Sequence, residues 1–130
     1  MDRIDAFVAR RAELAALYDV LLKDVPVTLP HRDADLVSAH HLYVVQLDPG
    51  RGVRRPRREV FQGMRARGIG VNVHYIPVHH QPDFVKAGLS AGDFPGAETY
   101  YAGCISLPMF PAMKDEDVDR VVDAVAQLVT

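Results

Sequence analysis

Residues 68–83 read Gly68-Ile69-Gly70-Val71-Asn72-Val73-His74-Tyr75-Ile76-Pro77-Val78-His79-His80-Gln81-Pro82-Asp83. The first six predict a turn running into a short buried strand. The last ten hold three imidazoles, one phenol and two prolines. Proline cannot donate to a central ladder, and it biases the residue before it toward extended backbone. The strand is therefore expected to end near Tyr75, with polar side chains displayed on a stiff loop at its end. That is a common way to build a binding site.

On the N-terminal side, Ile4, Phe7, Val8, Leu14, Tyr18, Leu21 and Leu22 recur at three- and four-residue spacing and predict a helix over 2–24. Residues 25–38, with Pro26, Pro30, Asp33 and Asp35, read as an extended connection. A strand is predicted over 40–48, with His41, Tyr43, Val45 and Leu47 on one face and Leu42, Val44 and Gln46 on the other. Pro49-Gly50-Arg51-Gly52 is a turn, and Pro56 suits the start of a helix over 57–67 that Gly68 caps. On the C-terminal side, a helical turn over 83–87 and a short helix over 96–103 precede a second buried strand, Cys104–Leu107. The clearest helix is 115–129, with a valine and leucine stripe and three acids in its first turn, where the helix dipole favours them. This order predicts a small α/β fold, a short sheet with helices packed mainly on one face.

The chain has 130 residues, 48% hydrophobic and 25% charged, and a net charge of −2, which fits one globular domain with no global pull toward nucleic acid or membrane. No apolar run approaches the roughly 20 residues that span a bilayer. The single cysteine, Cys104, leaves no intramolecular disulfide. With its charged N-terminus, the chain reads as cytoplasmic, without nucleic-acid or membrane partners.

Several candidate chemistries meet in the residues. His40, His41, His74, His79 and His80 could supply imidazoles to a metal, but there is no HExxH pattern and carboxylates are sparse nearby in sequence, so no metal site is expected. Cys104 lies in an apolar run and reads as a small buried hydrophobe, and Ser106 has no nucleophile elbow around it. The basic run Arg51, Arg54, Arg55, Arg57 and Arg58 is either a solvated loop or a phosphate clamp. The pairs His41/Tyr43 and His74/Tyr75 are either half-buried structural side chains or the walls of a shared polar pocket.

An ordered set of blocks resembles one family. His40-His41-Leu42-Tyr43-Val44-Val45, then Arg67 through His79 with Gln81-Pro82, then Gly92-Asp93-Phe94-Pro95 with Ala97-Glu98, and then Ile105-Ser106-Leu107-Pro108-Met109-Phe110-Pro111 are similar to the small domain of the DegT/DnrJ/StrS family of pyridoxal-phosphate-dependent nucleotide-sugar aminotransferases. Arg10-Arg11-Ala12-Glu13-Leu14 and Tyr18 resemble the helix that joins the two domains of that family. Within it, the likeness is to the subgroup that aminates 4-keto-6-deoxy sugars on UDP.

The resemblance implies the C-terminal small domain of a fold type I aminotransferase. It implies a single domain over 1–130, with 1–24 as connecting helix and 39–130 as a core of short, mainly antiparallel sheet. It implies a parent enzyme that moves the amino group of L-glutamate to a UDP-linked keto sugar, as a homodimer. Pyridoxal 5'-phosphate is held there by a lysine of a large domain. His74, Tyr75 and His79 are implied at the substrate cleft, with His41 and Tyr43 near it, and no catalytic residue is assigned to this chain. The lysines are Lys23, Lys86 and Lys114, and none stands in the family's cofactor-lysine context. No covalently bound cofactor and no transamination by this chain alone are therefore expected. The alternative is a free-standing nucleotide-sugar-binding or interaction module.

Overall fold

Helix α1 spans Ile4–Leu22 and buries Leu14, Ala15, Tyr18 and Leu22 along a single stripe. The computed structural model describes residues 3–33 and 35–130. The predicted helix start at Asp2 and the part of the 25–38 connection at Ala34 lie outside the described residues. The N-terminal end of the stripe stays open, with Ile4 56% and Phe7 40% exposed.

A three-stranded antiparallel sheet follows, in the order β1 (Val27–Thr28), β2 (Tyr43–Leu47), β3 (Cys104–Leu107). β1 was not expected. It is two residues long because Pro26 and Pro30 flank it, and it pairs Val27 with Leu47 and Thr28 with Gln46. β2 pairs with β3 so that Tyr43 faces Leu107 and Val45 faces Ile105. Tyr43, Val45 and Leu47 are the buried face of β2, as alternation predicted. The strand is shorter than the predicted 40–48. His40 takes a positive φ of 47°, and Arg11 Nη1 donates to the carbonyls of His40 and His41 at 3.0 and 3.1 Å, which ties this stretch to α1 instead of to the sheet.

Helix α2 (Arg57–Ala66) ends at Gly68, whose φ of 72° supplies the left-handed turn, and Arg120 Nη2 closes that end by donating to Arg67 O at 2.6 Å. Helices α3 (Pro82–Lys86) and α4 (Pro95–Gly103) are short and begin at proline. Helix α5 (Asp115–Val129) buries seven of its residues, from Val118 to Val129. Lys114 stands where a serine or threonine cap is usual, and Asp117 fills the gap by accepting the Lys114 N–H at 2.9 Å. The stripes of α1, α2 and α5 and the inner face of β2 and β3 make one apolar cluster, from Leu14 to Val129. Against it, Tyr18 and Tyr43 stack with ring centroids 4.7 Å apart.

The predicted strand after Gly70 is reduced to one bridge. Asn72 exchanges both backbone hydrogen bonds with Ser106, and then its own Oδ1 accepts the Val73 N–H at 2.8 Å. A side chain that satisfies the next amide locally competes with the ladder and ends it.

Candidate functional site

The bridge at Asn72 delivers the loop His74–His80 to the outer side of β3. Ser106 alternates with Ile105 and Leu107, so its hydroxyl points away from the core. His74 Nδ1 lies 2.7 Å from Ser106 Oγ, and Asn72 Nδ2 lies 3.3 Å from His74 Nε2. The Asn72 amide is fixed by its carbonyl oxygen accepting from Val73, so its nitrogen faces the imidazole as a donor. His74 Nε2 then accepts, and Nδ1–H donates to Ser106. This anchors the root of the loop. Tyr75 follows at 68% exposure, with Ile76 and Val78 also open, so the loop presents a phenol on an apolar ledge.

Beyond Pro77 the chain makes one tight turn over Val78–His80, which turns both imidazoles back toward α4. His79 is only 6% exposed and stacks on Phe94 at 4.6 Å. Its Nε2 lies 2.5 Å from Glu98 Oε1, and His80 Nε2 lies 2.6 Å from the same oxygen. A carboxylate only accepts, so both Nε2 atoms carry their protons here. The His79 hydrogen bond holds the Glu98 carboxyl below its ordinary pKa against an opposing desolvation effect, and His80 adds to it. Phe94 is itself positioned by the preceding turn, where Asp93 Oδ2 accepts from Ser90 N–H and Ser90 Oγ, both at 2.8 Å. Those bonds lower the Asp93 carboxyl as well.

The residues singled out in the sequence separate into two groups. His74, Tyr75 and His79 share one loop. His41 and Tyr43 lie elsewhere, and of the two readings of these pairs the shared polar pocket does not form among the described residues. β3 lies between Tyr43 and Asn72, and Tyr43 points to the inner face whereas Ser106 and His74 meet on the outer one. Tyr43 is 1% exposed, and burial pushes its phenol well above the ordinary range. His41 is exposed beside Ile4, Phe7 and Arg11 of α1. Asn72, Ser106, His80 and Glu98 complete the loop's contacts and had no site role assigned from sequence. Glu98 is 19 residues from His79, and the helix predicted over 96–103 carries it without showing which loop it meets.

A cleft of about 770 Å³ opens between the end of β2 and α4, lined by Gln46, Asp48, Arg55, Arg57, Thr99 and Tyr100 among others. It contains none of the five residues singled out as substrate contacts. Of the basic run, Arg57 is already engaged, donating to Tyr101 O at 2.5 Å and lying over the Tyr101 ring. Cys104 is buried, and desolvation raises its thiol, which fits the reading as a small hydrophobe.

The architecture is that of the fold type I sugar aminotransferases. The Helicobacter pylori PseC structure, described as an aminotransferase of pseudoaminic acid biosynthesis, superposes with a TM-score of 0.87 over 98% of this chain and 34% of its own, at 24% identity, a likeness of fold. S. venezuelae DesV, solved in complex with a ketimine intermediate, superposes with a TM-score of 0.86 at 32% identity over 98% of this chain and 33% of its own. The spore coat polysaccharide biosynthesis protein SpsC of Bacillus subtilis (strain 168) is 38% identical over 133 residues, 99% of this chain and 34% of SpsC. The profile of the DegT/DnrJ/EryC1/StrS aminotransferase family matches residues 1–126, and the chain belongs to that family. It spans about a third of the length of the curated relatives it matches.

Enzymes of this family use pyridoxal phosphate, which needs a lysine for its imine and an acidic or basic partner for its ring nitrogen. All three lysines of this chain are exposed. Lys23 Nζ sits 3.8 Å from Asp24, Lys86 Nζ sits 3.7 Å from Asp83, and Lys114 precedes α5. The residues present do not fit that cofactor. Among the described residues no helix is long and apolar enough to cross a membrane.

Proposed function

We propose that this chain is the C-terminal part of a sugar-nucleotide aminotransferase, that it supplies a substrate-binding loop and closes the active site, and that it has no activity alone. In this reading the parent enzyme is a cytoplasmic homodimer. It transfers the amino group of L-glutamate to a 4-keto-6-deoxy sugar carried on UDP, with pyridoxal phosphate on a lysine of a large domain. One observation carries the reading: family membership runs over residues 1–126, yet every lysine lies in exposed surface unsuited to the cofactor. A second supports it. Ile4, Phe7 and Val20 leave part of α1 apolar and open, as a helix shared with a neighbouring domain does.

In this reading the chain's own chemistry is binding and exclusion of water. His74, held by Ser106 and Asn72, and His79, held by Glu98 and Phe94, fix both ends of a loop whose middle, Tyr75-Ile76, is free to meet a ligand. A phenol hydrogen-bonds a sugar or phosphate oxygen and stacks against a ring. His41 sits on the open end of α1, and Tyr43 serves the loop only through the core.

The test pairs this chain with a separately produced large domain of a relative and follows glutamate-dependent amination of a UDP-linked keto sugar. No turnover by the chain alone and turnover by the mixture is the expected result. Turnover by the chain alone overturns the reading. A mixture that stays inactive while the chain binds the UDP-sugar by itself favours the free-standing module.

A further inference from the structure

His79, His80 and Glu98 bring three ligand atoms, two imidazole nitrogens and one carboxylate oxygen, within 4.8 Å of one another. In the reading above, the His79–Glu98 contact only holds the loop, and the convergence of both imidazoles on one carboxylate oxygen is left without a role. It also departs from the sequence-based expectation of no metal site, which rested on the scarcity of nearby carboxylates; the fold brings Glu98 in from α4. We propose that these three residues form a binding site for a divalent first-row transition ion.

The argument starts from the direction of the donors. Both Nε2 atoms point at one oxygen, at 2.5 and 2.6 Å. An ion at the usual bond length of about 2.0–2.1 Å holds tetrahedral ligands about 3.3 Å apart, so each nitrogen needs to withdraw by less than about 1 Å as its proton leaves. Two imidazoles and one carboxylate form a donor set that suits zinc and its neighbours, whereas magnesium and calcium prefer all-oxygen shells.

The second step is preorganisation. His79 is buried against Phe94, and Phe94 is set by the Ser90–Asp93 turn, so one ligand is fixed before an ion arrives. The His79 and His80 rings stand at 87° to each other, with centroids 4.7 Å apart, so two adjacent residues approach one point from different directions. The third step is access. The side chains of His80 and Glu98 keep 32% and 30% of their exposure, which leaves an entry path and an open position for water. The ion also clamps the Val78–His80 turn to α4, and so holds the loop that displays Tyr75.

Zn2+ is the probe, added to the chelator-treated chain in isothermal titration, with Co2+ absorption reporting the geometry of the ligand set. One equivalent is expected to bind, with affinity falling at least about tenfold in His80→Leu and in Glu98→Gln. His31→Ala, which removes the exposed imidazole beside Asp33, is expected to bind as the parent does. Circular dichroism of each variant separates ligand loss from misfolding. A second readout uses the unmodified chain: the ring signals of His79 and His80 shift on adding Zn2+, and those of His31 and His41 do not. Absence of binding, binding undiminished in His80→Leu and Glu98→Gln, or shifts confined to other histidines overturns the proposal. The amination reading does not depend on the result, because it rests on family membership and on the exposed lysines.

Discussion

Tyr43 Oη donates to Asp19 Oδ1 at 2.7 Å, joining the first residue of β2 to the last turns of α1 at the edge of the core. The same carboxylate takes Arg32 Nη2 at 3.1 Å, so one acid on α1 collects a strand and the connection that leads to it. The phenol is buried and its hydroxyl has a partner, which is the condition for burying it at little cost, while the Asp19 side chain reaches water at the edge of the core. The chain therefore uses Tyr43 to set the position of β2 on α1.

Tyr43→Phe tests that role. The ring and its stacking on Tyr18 remain, one hydrogen bond to a charged group is lost, and Asp19 keeps Arg32 and water. A loss of about 1.5–3 kcal/mol of stability is expected, read as a lower urea midpoint at unchanged slope. Tyr43→Ala also leaves a cavity and is expected to cost about 3–5 kcal/mol. A neutral Tyr43→Phe would make the bond to Asp19 incidental.

Alkaline pH is expected to unfold the chain through the stacked pair Tyr18 and Tyr43. Burial raises Tyr18 above the ordinary phenol value of 10.0, and burial followed by the Asp19 hydrogen bond raises Tyr43. Above pH 10 the unfolded chain releases these protons while the folded chain keeps them. Stability is full below that pH and falls as pH rises past it. In a pH titration, the phenolate absorbance of Tyr18 and Tyr43 should appear together with the loss of helical signal. Ionisation of both phenols while the fold persists would contradict their burial.

The elements that reached the sequence surface were those set by local spacing. The valines of α5 fall at three- and four-residue steps, and alternation grouped Tyr43, Val45 and Leu47 correctly on one face. What alternation cannot say is which face meets the core, because that depends on which strand pairs on either side. The resemblance sets Tyr43 near the substrate cleft, whereas its ring lies in the apolar cluster. Pro77 and Pro82 predict the loop that carries His74 and His79. Their partners Ser106 and Glu98 are brought in by pairing and helix packing over 32 and 19 residues, distances at which no spacing rule operates.

Gly103 is predicted to be the least replaceable glycine of the α4–β3 junction. A Cβ there would lie 2.7 Å from Gln46 Oε1 and 2.8 Å from Leu47 O. The first contact is the end of a side chain and can move, but the second is sheet backbone and cannot without shifting β2. Gly103→Ala is expected to destabilise by about 1–3 kcal/mol, despite the usual gain of replacing a helical glycine. Thermal unfolding of the variant measures this, and a raised midpoint would show that the junction yields.

Ser106→Ala separates the anchoring of the loop from the packing of the sheet. The substitution keeps the strand, its size and its place opposite Val44, and removes only the oxygen that His74 Nδ1 faces at 2.7 Å. His74 is half-buried, so its freed N–H finds water by turning outward, and the global cost is expected near 1 kcal/mol. The local effect should be larger. With Nδ1 released, the contact of Asn72 Nδ2 with Nε2 no longer has a fixed ring to meet, and the imidazole exchanges tautomers. Nitrogen-detected NMR of His74 is expected to show one dominant tautomer in the parent chain, with the proton on Nδ1, and averaged signals in the variant. If the proposed function holds, the same change in the assembled enzyme should weaken nucleotide-sugar binding more than it slows turnover, because it loosens the loop that carries Tyr75. An unchanged His74 spectrum would mean that Ser106 is a spectator and that Asn72 alone orients the loop.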